Sequence, residues 1–555
     1  MTHRTSQAPS DNALWWRSAV TYQIYLRSFA DASGDGLGDI AGIRKRLGHL
    51  AGLGVDAVWL NPWYPSPQAD GGYDVADYRS IEPTFGTLRE AELLIEEAHA
   101  IGLKVLLDIV PNHTSDEHPW FREALAARPG SPERNRYVFR PGRGDDGQLP
   151  PNDWWATFGG SAWERVTEAD GAPGEWYLHL FDVKQPDLNW ENPEVRQEFR
   201  DILRFWFDRG ADGFRIDVAH GLSKDLALPD LGEERSKVMG VPDRPDHPHW
   251  DRPEVHEIFR EWRKVAQEYT PEKIFVAEAW VYSPDRLQPY LRSDELHTAF
   301  DFDFLRTQWD AQALRTCVET SLSLLDEVGA PVLWVLSNHD VPRHVTRLGR
   351  TSIDPQDPLR RTTGPVDLEL GRRRARALLM FELTLPGGVY LYQGEELGLE
   401  EIDDLPEEAL QDPTWRRSGF TVRGRDGCRV PVPWSSAGPS LGFSDADPWL
   451  PMPAHWRELA VDRQETDPAS MLWLYRNALR LRKEIPALGA GDGALPHWHD
   501  LGREVLAYSR EPGFTCVVNT GRDPVRVPDG QPVLTSVPLA EGEPLPGNAA
   551  IWLLH

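Results

Sequence analysis

The sequence predicts an α/β chain built on a (β/α)8 barrel, with an inserted domain after the third strand and a C-terminal antiparallel β domain. Three observations carry this expectation. Eight short apolar or β-branched runs alternate with helical patterns, as parallel strands joined by crossover helices do. Acidic, basic and histidine residues gather at the C-terminal ends of those runs. Near the end of the chain the pattern changes to short alternating stretches, the mark of half-buried antiparallel strands.

The strand candidates follow in order: AVTYQIY from Ala19, AVWLN from Ala57, KVLLDIV from Lys104 and GFRIDV from Gly213. After them come IFVAEAW from Ile274, HTAFDF from His297, VLWVLS from Val332 and VYLYQG from Val389. Stretches such as REAELLIEEAHAIG and PEVRQEFRDILRFWFDRG supply the helices between them. These runs place the first part of the barrel at 1–113 and the second at 186–488. The connection over 114–185, rich in Pro, Gly and Trp, reads as the inserted domain. Another long connection, over 395–467, follows the eighth strand. The tail, 489–555, holds REVLAYS, FTCVVNT and AAIWLLH, which read as the antiparallel domain.

Composition narrows the function. A formal charge of -28 argues against nucleic acid or an anionic membrane as partner, since both select basic patches. Three cysteines, Cys317, Cys428 and Cys516, lie far apart, an odd and sparse set that fits reduced thiols in a cytoplasmic setting. The N-terminal MTHRTSQAPSDNALWW holds no apolar run long enough for a leader or anchor. Nowhere do apolar residues approach the roughly 20 in succession that span a bilayer.

Chemistry begins at GFRIDVAH, from Gly213 to His220. Side chains at i and i+2 of a strand share a face, so Arg215 and Asp217 project together. Alone, the pair would read as a structural ion pair. Asp108, His113, Glu278, His339 and Asp340 fall at equivalent strand ends, however, and that rim is where barrels of this class build their sites. Convergent buried charges are costly without a task. Two facing carboxyl groups suit glycoside hydrolysis, which needs one at the anomeric carbon and one protonated at the leaving oxygen. Arg215 should keep Asp217 ionised, as a nucleophile requires, while the apolar run around Glu278 suits a general acid.

DIVPNH, QPDLNW, GFRIDV, EAW and NHD, each on the expected strand end, make the chain similar to the α-amylase superfamily of glycoside hydrolases. Within it the chain resembles the α-glucosidase and oligo-1,6-glucosidase branch, over nearly its whole length. The resemblance implies Asp217 as nucleophile, Glu278 as acid/base and Asp340 as the third carboxylate, which stabilises the transition state. It also implies a terminal-glucose pocket lined by Tyr73, His113, Arg215 and His339. Asp70, in QADGGYDVADY, would close that pocket at the non-reducing end, and Arg343, in NHDVPR, would pair across it. Phe158 and Phe181 are candidate pocket walls. A closed pocket makes the expected action exo, on small oligosaccharides. Transglycosylating or trehalose-forming enzymes share this scaffold, as do catalytically dead transporter partners; the latter should lack the carboxylates retained here.

Linkage turns on Val218. In the oligo-1,6-glucosidase neighbours a valine there accompanies α-1,6 cleavage, whereas Ala219 and His220 depart from their pattern. If His220 faces the second sugar, maltose and other α-1,4 oligosaccharides are the expected substrates. A separate stretch, DASGDGLGD, sets Asp31, Ser33, Asp35, the Leu37 carbonyl and Asp39 at alternate positions round a glycine. That spacing predicts a structural Ca2+ (or Mg2+) remote from the chemistry.

Overall fold

The computed structural model describes residues 14–232, 242, 244–350, 364–488, 496–540 and 542–555. The first 13 residues and the expected boundary near Gly489 therefore lie outside the described residues.

Strands β1 (Val20–Ile24), β2 (Ala57–Leu60) and β3 (Lys104–Ile109) open the chain. A small antiparallel sheet of β4 (Phe139–Arg140), β5 (Trp163–Thr167) and β6 (Pro173–Leu178) then falls within the long connection, in the order β4-β6-β5. The main sheet resumes with β7 (Gly213–Ile216), β8 (Ile274–Ala277), β9 (Thr298–Ala299), β10 (Leu333–Val335) and β11 (Gly388–Tyr392). Its order is β10-β11-β1-β2-β3-β7-β8-β9, and every pairing is parallel. A parallel bridge between Phe300 and Leu333 joins the two edges, so the sheet closes into the barrel.

Local chemistry sets the elements. Asp39 caps the helix Ile40–Leu53 by accepting from the Gly42 amide, and Gly54, at φ 98°, ends it in the left-handed conformation. Ile40, Ile43, Leu47 and Leu50 form its buried stripe. Gly213 opens β7 because any side chain would strike its neighbour: a Cβ there would lie 2.4 Å from the Ile274 carbonyl oxygen.

Trp59, Leu106, Val276, Leu333 and Tyr390 fill the barrel lumen, whereas Val58, Leu107, Phe214 and Phe275 pack outward under the helices. The charged residues continue the inward rows by the two-residue strand period. Leu106 is followed inward by Asp108, Val276 by Glu278, and Gly213 by Arg215 and Asp217, with Asp108 in register with Arg215.

At the C-terminal end β12 (His497–Trp498), β13 (Val505–Arg510), β14 (Phe514–Asn519), β15 (Gln531–Thr535) and β16 (Ala549–Leu554) form an antiparallel sheet. It rests on the helix Leu368–Glu382, where the Trp552 indole donates to the Met380 carbonyl at 3.0 Å. No described helix is long and apolar enough to cross a membrane. None of the three cysteines is in a disulfide.

Candidate active site

At the C-terminal mouth of the barrel one guanidinium holds three carboxylates. Arg215 Nη1 contacts Asp108 Oδ1 at 2.9 Å and Asp217 Oδ1 at 2.6 Å, while Nη2 contacts Glu278 Oε2 at 2.8 Å. All four side chains are buried. The Val218 amide donates to Glu278 Oε2 at 3.0 Å. Val218 adopts φ 47°, a strained conformation for a β-branched residue, directly after Asp217. Tyr73 donates to Asp108 Oδ2 at 2.8 Å and accepts from Asn61, and its ring stacks on His339 at 5.2 Å and 7°.

One end of the pocket is walled by charge. Arg425 Nη2 contacts Asp70 Oδ1 at 2.6 Å, its Nη1 contacts Asp340 Oδ1 at 2.9 Å, and its Nε contacts Asp412 Oδ2 at 2.5 Å. Arg429 adds a second contact to Asp340 at 3.0 Å, and His339 Nε2 lies 3.1 Å from Asp340 Oδ2. Gln185, the first residue of QPDLNW, donates to Asp70 Oδ2 at 3.1 Å and lies 3.0 Å from His113 Nε2. Phe158 packs under the Arg425 guanidinium, 5.1 Å from ring centre to cation, and meets Phe181 edge-on at 5.9 Å. Phe181 also touches the ring of His113. Asp70, Tyr73, His113, Phe158, Phe181, Arg215, Asp217, Glu278, His339 and Asp340 thus share one connected site.

Arg343 does not join them as expected. It is buried, donating from Nη1 to the Gln393 carbonyl at 2.8 Å and from Nη2 to the Cys428 carbonyl at 2.9 Å. The partner of Asp70 is Arg425, and Arg343 braces from below the turn that carries Arg425 and Arg429. Arg425, Arg429, Asp412 and Gln185 are site residues that lie away from the strand ends. Gln185 opens QPDLNW, whereas the arginines and Asp412 lie in the long connection after the eighth strand, where no period marks them.

His220 also departs from expectation. Its Nδ1 accepts the Trp280 amide at 3.4 Å, and its ring lies against Trp250 at 5.0 Å. It packs into the loop instead of presenting itself to a second sugar.

The loop Asp31–Asp39 does not fit a cation in this arrangement. Both Asp31 oxygens accept loop amides, Oδ1 from Gly34 and Oδ2 from Gly36, and Ser33 and Ser444 hydroxyls add to them. Both Asp39 oxygens are likewise taken, Oδ2 by the Ala32 and Ser33 amides and Oδ1 by Gly42 at the helix cap. Asp35 accepts from the Leu37 amide. Among the described residues no group of three or more His, Cys, Asp or Glu side chains is placed to hold a metal ion. Alternate-position oxygens here fold the turn onto its own N–H groups.

Electrostatics separates the two ends. Burial pushes the Asp217 carboxyl well above the usual range; Arg215 opposes this, but Glu278 and Asp108 repel. The expected lowering by Arg215 fails because burial outweighs that cation, which Glu278 and Asp108 also share. At Asp340 burial also works upward, yet His339, Arg425 and Arg429 outweigh it and hold the carboxyl well below the usual range. Burial lowers His113 to about 4, so its imidazole is neutral at pH 7.

Comparison with known proteins identifies the family. The alpha-amylase catalytic-domain family model matches residues 23–491. A probable alpha-glucosidase of Rhizobium meliloti (strain 1021) is 39% identical over 514 residues, spanning 89% of this chain and 87% of that protein. An oligo-1,6-glucosidase of Parageobacillus thermoglucosidasius is 37% identical over 502 residues, 85% of this chain and 84% of that one. The crystal structure of the alpha-glucosyl transfer enzyme XgtA superposes with a TM-score of 0.84 at 36% identity, over 97% of this chain and 99% of that chain. A match of that extent, together with two carboxyl groups facing each other across one arginine, places the chain in the α-amylase family of glycoside hydrolases, in its α-glucosidase branch.

Proposed function

We propose that the protein is a retaining exo-α-glucosidase that releases α-glucose from the non-reducing end of short α-linked oligosaccharides, maltose among them. One observation carries the proposal. Arg425 ties Asp70 to Asp340, and a pocket walled by these pairs beside Asp217 and Glu278 would admit only a chain terminus. Asp217 and Glu278 contact the same guanidinium, which fits the retaining separation of about 5–5.5 Å better than the inverting one of about 6.5–9.5 Å.

The chemistry runs in two displacements. Asp217 attacks the anomeric carbon while Glu278 gives its proton to the departing glycosidic oxygen, leaving glucose as an ester on Asp217. Glu278, now ionised, then takes a proton from the water that attacks the same carbon, and Asp217 departs as a carboxylate. Positive charge develops on the sugar ring in both steps, among three carboxylates served by one cation. A cytoplasmic setting rests on the sparse, odd cysteine set.

The α-1,4 expectation leaned on His220, and that support is gone now that His220 faces Trp280 and Trp250. Val218, beside the nucleophile, remains and favours α-1,6 bonds as a second reading. Incubation with maltose, isomaltose, sucrose and trehalose, with products resolved by chromatography, tests the proposal. Glucose as first product from maltose or isomaltose supports it. Transfer products alone, or rapid random scission of amylose, would overturn it.

A further inference from the structure

The acid/base carboxyl is held by a donor that the two-carboxylate mechanism does not use. The Trp280 indole N–H donates to Glu278 Oε1 at 3.1 Å. Its ring lies flat on Phe302, with centroids 3.9 Å apart and planes within 6°, and both rings are buried. The Trp280 amide is tied in turn to His220. Phe302 opens a short helix, Phe302–Arg306, fixed by the Asp301 side chain accepting from Phe304 at 2.9 Å. The indole therefore has a rigid platform.

The two oxygens of Glu278 are not equivalent. Oε2 receives both the Val218 amide and Arg215 Nη2. An oxygen with two donors aimed at it has no room for a hydrogen of its own. Among the described residues Oε1 receives only the indole N–H, and a hydroxyl oxygen can still accept one such bond after protonation. Resting on the assignment of Glu278 as acid/base, we propose that Trp280 is a positioning residue. Its indole N–H fixes the carboxyl plane and makes Oε1 the oxygen that carries the transferable proton. A phenylalanine or aliphatic residue at 280 could contact substrate but could not do this. Among the described residues, the charged groups facing the Glu278 carboxyl are Arg215 and Asp217 from β7 and its end and Asp108 from β3, while the His220 ring meets the Glu278 backbone.

Trp280→Phe keeps a ring on Phe302 and deletes the N–H. Loss of one hydrogen bond to a charged group predicts a fall of about 10-fold in kcat/KM on maltose, with the basic limb of its pH profile moving up by about one unit. The acidic limb, which reports the nucleophile, should stay in place. With 2,4-dinitrophenyl α-glucoside, whose leaving group needs no proton, formation of the glycosyl-enzyme should change less than about threefold. Equal losses on both substrates with an unmoved basic limb would make Trp280 merely structural and overturn the proposal. If Trp280→Phe folds poorly, benzothienylalanine at 280 preserves the shape, lacks the N–H and must give the same shift. Glu278→Ala with azide separates the two assignments. Formation of α-glucosyl azide from the activated substrate supports Glu278 as acid/base, and an unmoved limb in Trp280→Phe then removes only Trp280. Failure of that azide product removes the assignment of Glu278 itself.

Discussion

At the reacting centre Asp108, Asp217 and Glu278 contact the single guanidinium of Arg215, whereas at the closed end Asp70, Asp340 and Asp412 are served by Arg425 and Arg429. The residue types and the burial are alike at both ends. The outcomes are opposite: burial wins at Asp217 and raises it, but at Asp340 and Asp412 burial is overcome by neighbouring groups that include both arginines. Asp70, buried and in contact with Arg425, still lies above its ordinary value because of burial. The ratio of cations to carboxylates thus divides the pocket into a braced wall and a centre short of positive charge. A shortage there matches a reaction whose transition state brings positive charge of its own.

Removing either reacting carboxyl should break the centre outright. Asp217→Asn and Glu278→Gln are each expected to lower kcat on maltose by about 10⁴-fold or more, since neither amide can do the chemistry. Activity close to that of the native enzyme in either variant would defeat the assignment. Circular dichroism should be unchanged, because Arg215 keeps two of its three partners.

The wall should respond through binding. Arg425→Ala strips a contact from three buried acids and should cost about 3 kcal/mol or more in stability, with a large rise in KM. Asp70→Ala should weaken binding by about 2 kcal/mol, because a sugar hydroxyl loses its partner. The two changes share a contact, so a double-mutant cycle should find them non-additive; simple additivity would mean that the Asp70–Arg425 pair does not act as a unit.

Stability against pH sharpens the contrast, with opposite signs at the two ends. Asp217 is raised in the folded state, so its ionisation weakens the fold as pH climbs from about 4 through its folded value. Asp217→Asn should therefore raise Tm at pH 7, on the order of a few degrees, and the gain should vanish near pH 4. Asp340 is lowered, so it contributes stability above about 4 that is lost as pH falls. Asp340→Asn should lower Tm at pH 7. Shifts of the same sign in scanning calorimetry would erase the distinction between the two ends. The smallest effect is expected at Val218→Thr, which should move the maltose-to-isomaltose ratio of kcat/KM by about 10-fold at most, or roughly 1.4 kcal/mol.

Much of this is legible in the amino-acid sequence. The eight runs became the eight barrel strands because each carries a two-residue period with one face in the lumen, and Asp108, Arg215, Asp217 and Glu278 sit where that period points. Arg425 was not legible, because it meets Asp70 across 355 residues and lies in an irregular connection. Arg343 took its place only by sitting near NHD. The loop at Asp31–Asp39 shows a different limit, since oxygens at alternate positions can face a cation or fold back onto amides. His220 was equally ambiguous, as its direction depends on Trp250, thirty residues further on.

The most direct test is the anomeric form of the first glucose released. Proton NMR of a 4-nitrophenyl α-glucoside digest, read within minutes and before mutarotation, observes it; maltose would also free its reducing-end glucose as an anomeric mixture. A double displacement through Asp217 and Glu278 predicts α-glucose first, with the β form appearing only later by mutarotation. β-Glucose as the initial product would mean a single displacement, and the shared-arginine pair could not then be a nucleophile and its acid.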